Sequence, residues 1–469
     1  MDSLRRRFRR HRSALTVGLL RLLVYGGLFG LFFGLMSINN WQLRNPSRTL
    51  ATTLLTYTAM SAAMHTVYGG YDIGRKKSKP LISAMSLSAI VTDLVSYLQL
   101  QIMNVNDANN VRLVLFGNDF VWLLACIVLQ ILLIFGMAYW GNRTFFSMNP
   151  PQHCLVVTSS EVELEAMRRK IGRYGLQWQV TDEARWNAPN LRERIARADV
   201  VFLGSEVPDA ARMALMQCCY DLHRDVMCKA KLQDIMLSSA HQTIVDDAPF
   251  LEMDYAKMTL AQRCAKRGMD IVVSALVLAV LSPLLAVIAL CIRAEDGGPV
   301  IFRQKRMTVG GRVFTINKFR TMQPSAAKEE HPVPVGESDE RITRVGRVLR
   351  RFRLDELPQF WNILRGDMTL VGPRPEMLEN IERYKRELPA FAYREKMKAG
   401  LTGYAQIEGR YNTTPEDKLM LDLMYIENFS MWEDVKLIFR TLTVFFKPDS
   451  TKGFARAQRE AENDARLDA

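Results

Sequence analysis

The chain has 469 residues, too many for one ordinary domain and enough for about three. Its formal charge is +13 and its pI about 9.4, yet it has no recognition-helix pattern, zinc motif or aromatic-basic strand platform, which excludes nucleic acid as a partner. The excess cations instead suit anionic lipid heads and substrate phosphates. Seven cysteines without a Cys-x-x-Cys exclude a disulfide scaffold and fit a reduced, cytosol-facing chain.

Four apolar segments open the chain, near 15–36, 48–69, 81–103 and 119–141. Each approaches the roughly 20 residues that a spanning helix needs. The third is the least apolar in expectation, since it holds Asp93, Gln99 and Gln101. The first is too long for a cleaved signal and lacks a small-residue cleavage site. Arg5, Arg6, Arg7, Arg9, Arg10 and Arg12 precede it, and Arg75, Lys76, Lys77 and Lys79 follow the second, while loops 37–47 and 104–118 carry fewer cations. The positive-inside bias therefore places both ends of this bundle in the cytoplasm. Arg21 and Asp93 are expected to snorkel or to face the bundle interior.

From about 152 the composition turns soluble. Strand-like HCLVVT (153–158), a helical 161–174, strand-like ADVVFL (198–203), a helical 209–224 and a short strand at 226–229 alternate as in a small parallel α/β unit. The turn after its first strand is Thr158-Ser159-Ser160-Glu161, with no Gly-x-Gly-x-x-Gly, so a structural, dimerising or regulatory module is expected rather than a dinucleotide site.

The next apolar run, 269–292, is broken in its middle by Ser282-Pro283. Lys266 and Arg267 flank one end; Arg293, Arg303, Lys305 and Arg306 flank the other. Cations at both ends place both on the cytoplasmic side. Proline removes an N–H and kinks the helix, so a re-entrant hairpin in one leaflet is expected.

Beyond it, Val313–Ile316 reads as a strand leading into Asn317-Lys318-Phe319-Arg320-Thr321-Met322. Then comes Arg350–Glu376, RRFRLDELPQFWNILRGDMTLVGPRPE, which sets Asp355 and Glu356 between arginines and closes on Pro373-Arg374-Pro375. Asp355 suits the N-cap of a helix that carries Pro358 in its first turn. Arginine grips phosphate oxygens at two points, and the two prolines limit the travel of Arg374. Several cations around one carboxylate pair point to a pyrophosphate substrate. Gly400, Gly403 and Gly409, with Gln406 and Arg410, form a Gly-rich loop for which tight turns and nucleotide or sugar contact are equally open.

These motifs and their order, from Ser282-Pro283 through Gly297-Gly298-Pro299-Val300 and Lys318–Met322 to Asp355–Gln359 and Pro373–Glu376, resemble the long-form monotopic phosphoglycosyl transferases. That family comprises bacterial polyprenyl-phosphate hexose-1-phosphate transferases that initiate exopolysaccharide or capsule synthesis, and the catalytic resemblance covers roughly 257–454. It implies a four-helix transmembrane bundle (1–148), a Rossmann-like cytosolic module (149–248) and a mostly α catalytic domain (249–469) with the re-entrant hairpin 269–292. The enzyme is then multi-pass in the inner membrane, with its catalytic domain on the cytoplasmic face, and homodimeric by the long-form architecture.

The resemblance further implies transfer of a hexose-1-phosphate from a UDP-sugar to undecaprenyl phosphate with release of UMP. UDP-glucose is the first choice and UDP-galactose the second, with an N-acetylated sugar left open. Asp355 is implied as the nucleophile, and Glu356 as a holder of Mg²⁺ or a manager of the proton; both are candidate metal ligands. Lys318, Arg320, Arg350 and Arg374 are candidates for the phosphates, Gly403, Gln406 and Arg410 for the nucleotide or sugar. Gln304–Gly311 (QKRMTVGG) departs from the shorter Arg-x-Gly turn of many relatives. An idle membrane scaffold or regulator is the alternative; it has no use for an intact Asp355-Glu356 and its arginines.

Overall fold

A computed structural model describes residues 2–70, 78–104, 116–253, 258–323, 341–409 and 413–444. The chain divides into two compact units, Met1–Ala230 and Lys231–Ala469. Among the described residues four helices are long and apolar enough to cross a membrane: Leu15–Met36, Pro80–Met103, Asp119–Met148 and Leu260–Asp296. The protein is mostly helical and is a membrane protein.

The first unit begins with α1 (Asp2–Met36), α2 (Arg48–Tyr68), α3 (Ser78–Asn104) and α4 (Phe116–Met148). All four apolar segments are helical, but the least apolar is α2, not α3. Its threonines make it tolerable in an apolar setting, because Thr52, Thr58 and Thr66 donate their hydroxyls to carbonyls one turn back. The polar residues of α3 turn inward. Asp93 is fully buried and accepts from Gln130 Nε2 at 3.3 Å, while Gln101 donates to Asp119 at 3.0 Å. Partnered this way, they cost far less than they would facing lipid.

A four-stranded, wholly parallel sheet follows, in the order β2-β1-β3-β4. Its strands are β1 (Gln152–Thr158), β2 (Trp178–Arg185), β3 (Val200–Leu203) and β4 (Asp225–Cys228), and its helices α5 (Glu161–Gly172), α6 (Leu191–Arg197) and α7 (Asp209–Asp221). Leu155, Val157 and Val201 pack into one apolar cluster, and Cys154, Val156 and Val200 into another with α5. Both faces of β1 are therefore covered, which is why its middle reads as an unbroken apolar run. The strand Trp178–Arg185 escaped the sequence reading because its alternation, WQVTDEAR, is mostly polar.

The second unit contains α8 (Leu232–Leu237), a hairpin of β5 (His241–Val245) and β6 (Ala248–Glu252), the long α9 (Leu260–Asp296), and an antiparallel hairpin of β7 (Ile301–Met307) and β8 (Val313–Phe319). Then come α10 (Arg344–Arg351), α11 (Gln359–Arg365), β9 (Thr369–Val371), α12 (Leu378–Glu387), β10 (Gly400–Thr402), α13 (Tyr404–Ile407), α14 (Pro415–Glu427) and α15 (Met431–Val444). Composition alone assigned residues 231–248 to the α/β module, but Ile235 lies in the core of this second unit.

Helix α9 is 37 residues long with Pro283 inside it. Its first turns are fastened by polar contacts. Lys266 Nζ donates to the Val371 carbonyl (2.9 Å), the Tyr425 hydroxyl (3.0 Å) and Asp434 (2.5 Å). Asp270 accepts from Leu370 N at 2.9 Å and from the Thr369 hydroxyl at 3.0 Å, and Arg267 caps the carbonyls of Ile363 and Leu364. Removing one partner of such a buried pair costs about 3–5 kcal/mol. Its far end packs Ile288 and Ile292 against Phe319 and Leu349. Between these anchors Leu276 and Val280 are exposed.

Candidate active site

Asp355 and Glu356 sit in a single 3₁₀ turn, Leu354–Glu356, between α10 and α11. The expected N-cap role of Asp355 is not what the backbone adopts: Pro358 is the residue before α11, and no side chain caps that helix. The turn arises because Arg353 takes a left-handed conformation (φ 52°, ψ 24°), reversing the chain after α10. In a 3₁₀ turn consecutive side chains diverge by about 120°, so the two carboxylates meet different partners. Leu354 and Leu357 pin the turn to the cluster of Ile288, Ile292, Phe319 and Leu349.

Glu356 accepts a hydrogen bond from Lys318 Nζ at 3.1 Å and lies 4.0 Å from the Arg353 guanidinium. Burial works to raise its pKa, but the charges of Lys318, Arg374 and Arg353 outweigh that and hold the carboxyl at about 2. Asp355 is displaced the other way. Burial first, then the negative charge of Glu356, push it above the usual carboxylate range, against the pull of Lys318 and Arg350. One acid is fixed as an anion, and its neighbour is kept reluctant to carry a second charge.

Lys318 owes its position to β8, where it pairs with Phe302 of β7. The fully buried Asn362 of α11 fixes that strand against the turn: its Oδ1 accepts from Asn317 N at 3.0 Å and its Nδ2 donates to the Thr315 carbonyl at 2.7 Å. Arg350 donates through Nε to the Thr321 hydroxyl at 2.8 Å. Gly346 makes this approach possible, since a Cβ there would lie 2.1 Å from the Thr321 carbonyl oxygen.

Arg320, read as a phosphate ligand, is only 4% exposed and is spent inside the wall. It donates to the Pro299 carbonyl at 2.6 Å and forms a two-point pair with Asp296, where α9 ends. Arg374 is exposed, and among the described residues its guanidinium makes no hydrogen bond. Its backbone is held on each side: its own carbonyl accepts from Arg394, that of Pro375 from Arg306 at 3.1 Å, and that of Pro373 from Gly400 N at 2.9 Å.

Gly403 sits where a Cβ would lie 2.5 Å from the Gly372 oxygen, and Gln406 Nε2 donates to the Gly400 carbonyl at 3.3 Å. Both serve close backbone approach beside the Pro-Arg-Pro segment. Arg410 lies outside the described residues. Ser282 donates to the Ala279 carbonyl at 2.8 Å, beside Pro283. Sequence reasoning missed Arg353, Asn362 and Arg306. Only Asn362 left a signal, as an amide inside the apolar run of α11.

Mg²⁺ takes oxygen ligands and completes its shell with substrate phosphates and water. Asp355 and Glu356, whose pKa is lowered, fit that demand as a carboxylate pair. Among the described residues no three His, Cys, Asp or Glu side chains group as metal ligands, so the remaining ligands would come from substrate.

The family described as bacterial sugar transferase matches residues 261–448. Over 181 residues the chain is 42% identical to the UDP-N-acetylgalactosamine-undecaprenyl-phosphate N-acetylgalactosaminephosphotransferase of Aeromonas hydrophila, covering 38% of this chain and 42% of that protein. It is 42% identical over 192 residues to the UDP-glucose:undecaprenyl-phosphate glucose-1-phosphate transferase of Caulobacter vibrioides, covering 39% and 71%. The protein of that name from Escherichia coli K12 is 38% identical over 206 residues, covering 43% and 44%. The matches thus span less than half of the first and third of these relatives, and the matched segment holds the 3₁₀ turn and every residue that surrounds it.

Proposed function

Because the chain belongs to the bacterial sugar transferase family of polyprenyl-phosphate hexose-1-phosphate transferases, we propose that it moves a hexose-1-phosphate from a UDP-sugar to undecaprenyl phosphate at the cytoplasmic face of the inner membrane, the first membrane step of exopolysaccharide or capsule synthesis. The observation that carries this reading is the 3₁₀ turn itself, in which cations hold Glu356 ionised while burial and the charge of Glu356 raise the pKa of its neighbour Asp355.

The reaction divides into two displacements. An oxygen of Asp355 attacks the phosphorus that bears the sugar, the bond to the bridging oxygen breaks, and UMP leaves with that electron pair. The aspartyl-phosphosugar is then attacked by a phosphate oxygen of the lipid, which forms the diphosphate link and returns the Asp355 carboxylate. Neither displacement requires a net proton transfer. A raised Asp355 pKa supports the role, since a more basic carboxylate is the better nucleophile once approaching phosphates draw positive charge to the site. Lys318, Arg353 and Arg374 offset the negative charge that accumulates around Glu356. Arg350, bonded to Thr321, lends positive charge to Asp355, and Arg320 braces the end of α9 through Asp296. When bound by Asp355 and Glu356, Mg²⁺ supplies further positive charge to the diphosphate.

The re-entrant course of α9 belongs to the same proposal. Its first turns are fastened to β9 and α11, and its last to Phe319, Leu349 and Arg320 of the same unit. At 37 residues a straight helix would be about 55 Å long and would carry its ends to opposite faces of a bilayer whose core is about 30 Å thick. Two ends on one compact unit support a return to the entry side, with Pro283 as the bend.

The sugar is proposed as glucose, with galactose second and an N-acetylated sugar open, because the relatives' names differ at this point. Radiolabel transfer from a panel of UDP-sugars into undecaprenyl phosphate tests the reaction. With UDP-sugar and Mg²⁺ but no lipid, the protein should gain the mass of a hexose phosphate on Asp355, discharged by added lipid and absent in Asp355→Asn. Turnover without such an adduct, under kinetics that require both substrates bound together, would favour direct displacement.

A further inference from the structure

In an open parallel sheet a ligand's charged group sits at the carboxyl ends of the strands, where the strand order reverses. In the order β2-β1-β3-β4 that point lies between β1 and β3. The loop leaving β3 is Gly204-Ser205-Glu206, and its amide groups are already engaged. Glu163, from the first turn of α5, is 4% exposed and places its carboxylate there. Oε1 accepts from Ser205 N at 2.6 Å, from the Ser205 hydroxyl at 2.8 Å and from Glu206 N at 3.4 Å. Oε2 shares the Glu206 amide at 3.4 Å, and Lys229, which follows β4, brings its ammonium to 3.7 Å. A Cβ on Gly204 would stand 2.2 Å from Oε2, so a larger residue there would displace the Glu163 carboxylate.

We propose that the α/β module carries a built anion site for a single carboxylate or phosphate group, and that its resident occupant is Glu163 of the same chain. Two consecutive backbone amides, a hydroxyl and an ammonium converging on one point are the donor set that binds an external anion. Here Glu163, the third residue of α5, the helix that follows β1, fills it. The missing glycine turn after β1 then has a physical meaning: Thr158-Ser159-Ser160 needs to admit no phosphate, because the charge arrives from within. The intact module binds no free nucleotide at this crevice.

Hydrogen exchange of the full-length protein in nanodiscs, read at peptides spanning 200–212, tests this locally and apart from the catalytic arginines. In the wild type these amides should exchange slowly and ignore added acetate or inorganic phosphate. In Glu163→Ala their exchange should rise about tenfold or more. Millimolar acetate should restore protection if the site prefers a carboxylate, and phosphate should do so if it prefers a phosphate. Unchanged exchange in the variant, or loss that neither anion reverses while peptide 152–158 stays protected, would overturn the proposal. Should 152–158 also open, Glu163→Gln is read instead. It keeps an acceptor oxygen in the crevice, so exchange should rise at Ser205 and Glu206 alone and be indifferent to both anions. Wild-type exchange there would equally overturn it.

Discussion

Lys318 and Glu356 stand 38 residues apart in the chain and 3.1 Å apart in the fold, joined by a hydrogen-bonded ion pair at the edge of the 3₁₀ turn. The contact couples the end of β8 to the turn before α11 and sets the charge state of the site.

Lys318→Met keeps the apolar stem and removes that charge. The Glu356 carboxyl, held at about 2, should rise towards the ordinary glutamate value of about 4.3. Because the folded pKa is the depressed one, the stabilisation from this pair is present above about 4.3 and is lost as pH falls towards 2. In the variant the acid limb of the pH–rate profile should move upwards, because Lys318 lowers the pKa of Asp355 as well as that of Glu356, with turnover down roughly 10²-fold. An unmoved limb would show that Lys318 does not control the carboxylate pair.

Arg353→Gly separates strain from chemistry. A non-glycine residue at φ 52° costs about 1 kcal/mol, so thermal stability should hold or rise. The lost cation, 4.0 Å from Glu356 and part-exposed, adds at most about 1 kcal/mol to stability, and turnover should fall about tenfold. A variant that loses stability and activity together would make Arg353 a folding residue only.

Gly346→Ala should unseat Arg350. Its methyl would lie 2.1 Å from the Thr321 carbonyl oxygen, so α10 must move, at about 1–3 kcal/mol. Gly268→Ala, which meets nothing within 4 Å in α9, is the control and should gain about 0.5–1 kcal/mol. Thermal unfolding of the two variants side by side reads the difference.

Pro283→Leu should turn α9 into an uninterrupted apolar helix and favour full crossing of the bilayer. Cysteine-accessibility labelling at positions 300–310 should then switch from the cytoplasmic to the outer face, and activity should vanish. Labelling from outside in the unaltered protein would end the re-entrant reading.

Much of this protein was legible along the chain. Apolar length marked α1, α3 and α4, the alternation of soluble strands and helices marked the parallel sheet, and Asp355-Glu356 with Pro373-Arg374-Pro375 marked the segment that the family model matches. Each of these signals is local, carried by hydropathy over one helix or by side-chain chemistry over a few residues. What the chain alone left undecided depends on distance through space. Lys318 and Arg320 lie two residues apart and read alike, yet the fold sends one to Glu356 and the other to Asp296. The left-handed Arg353, the hidden partners of Asp93 and the carboxylate of Glu163 against Ser205 have no sequence signature. Each is set by which backbone donors and charges the packed elements bring within about 3–4 Å, and no pattern along a chain records that separation.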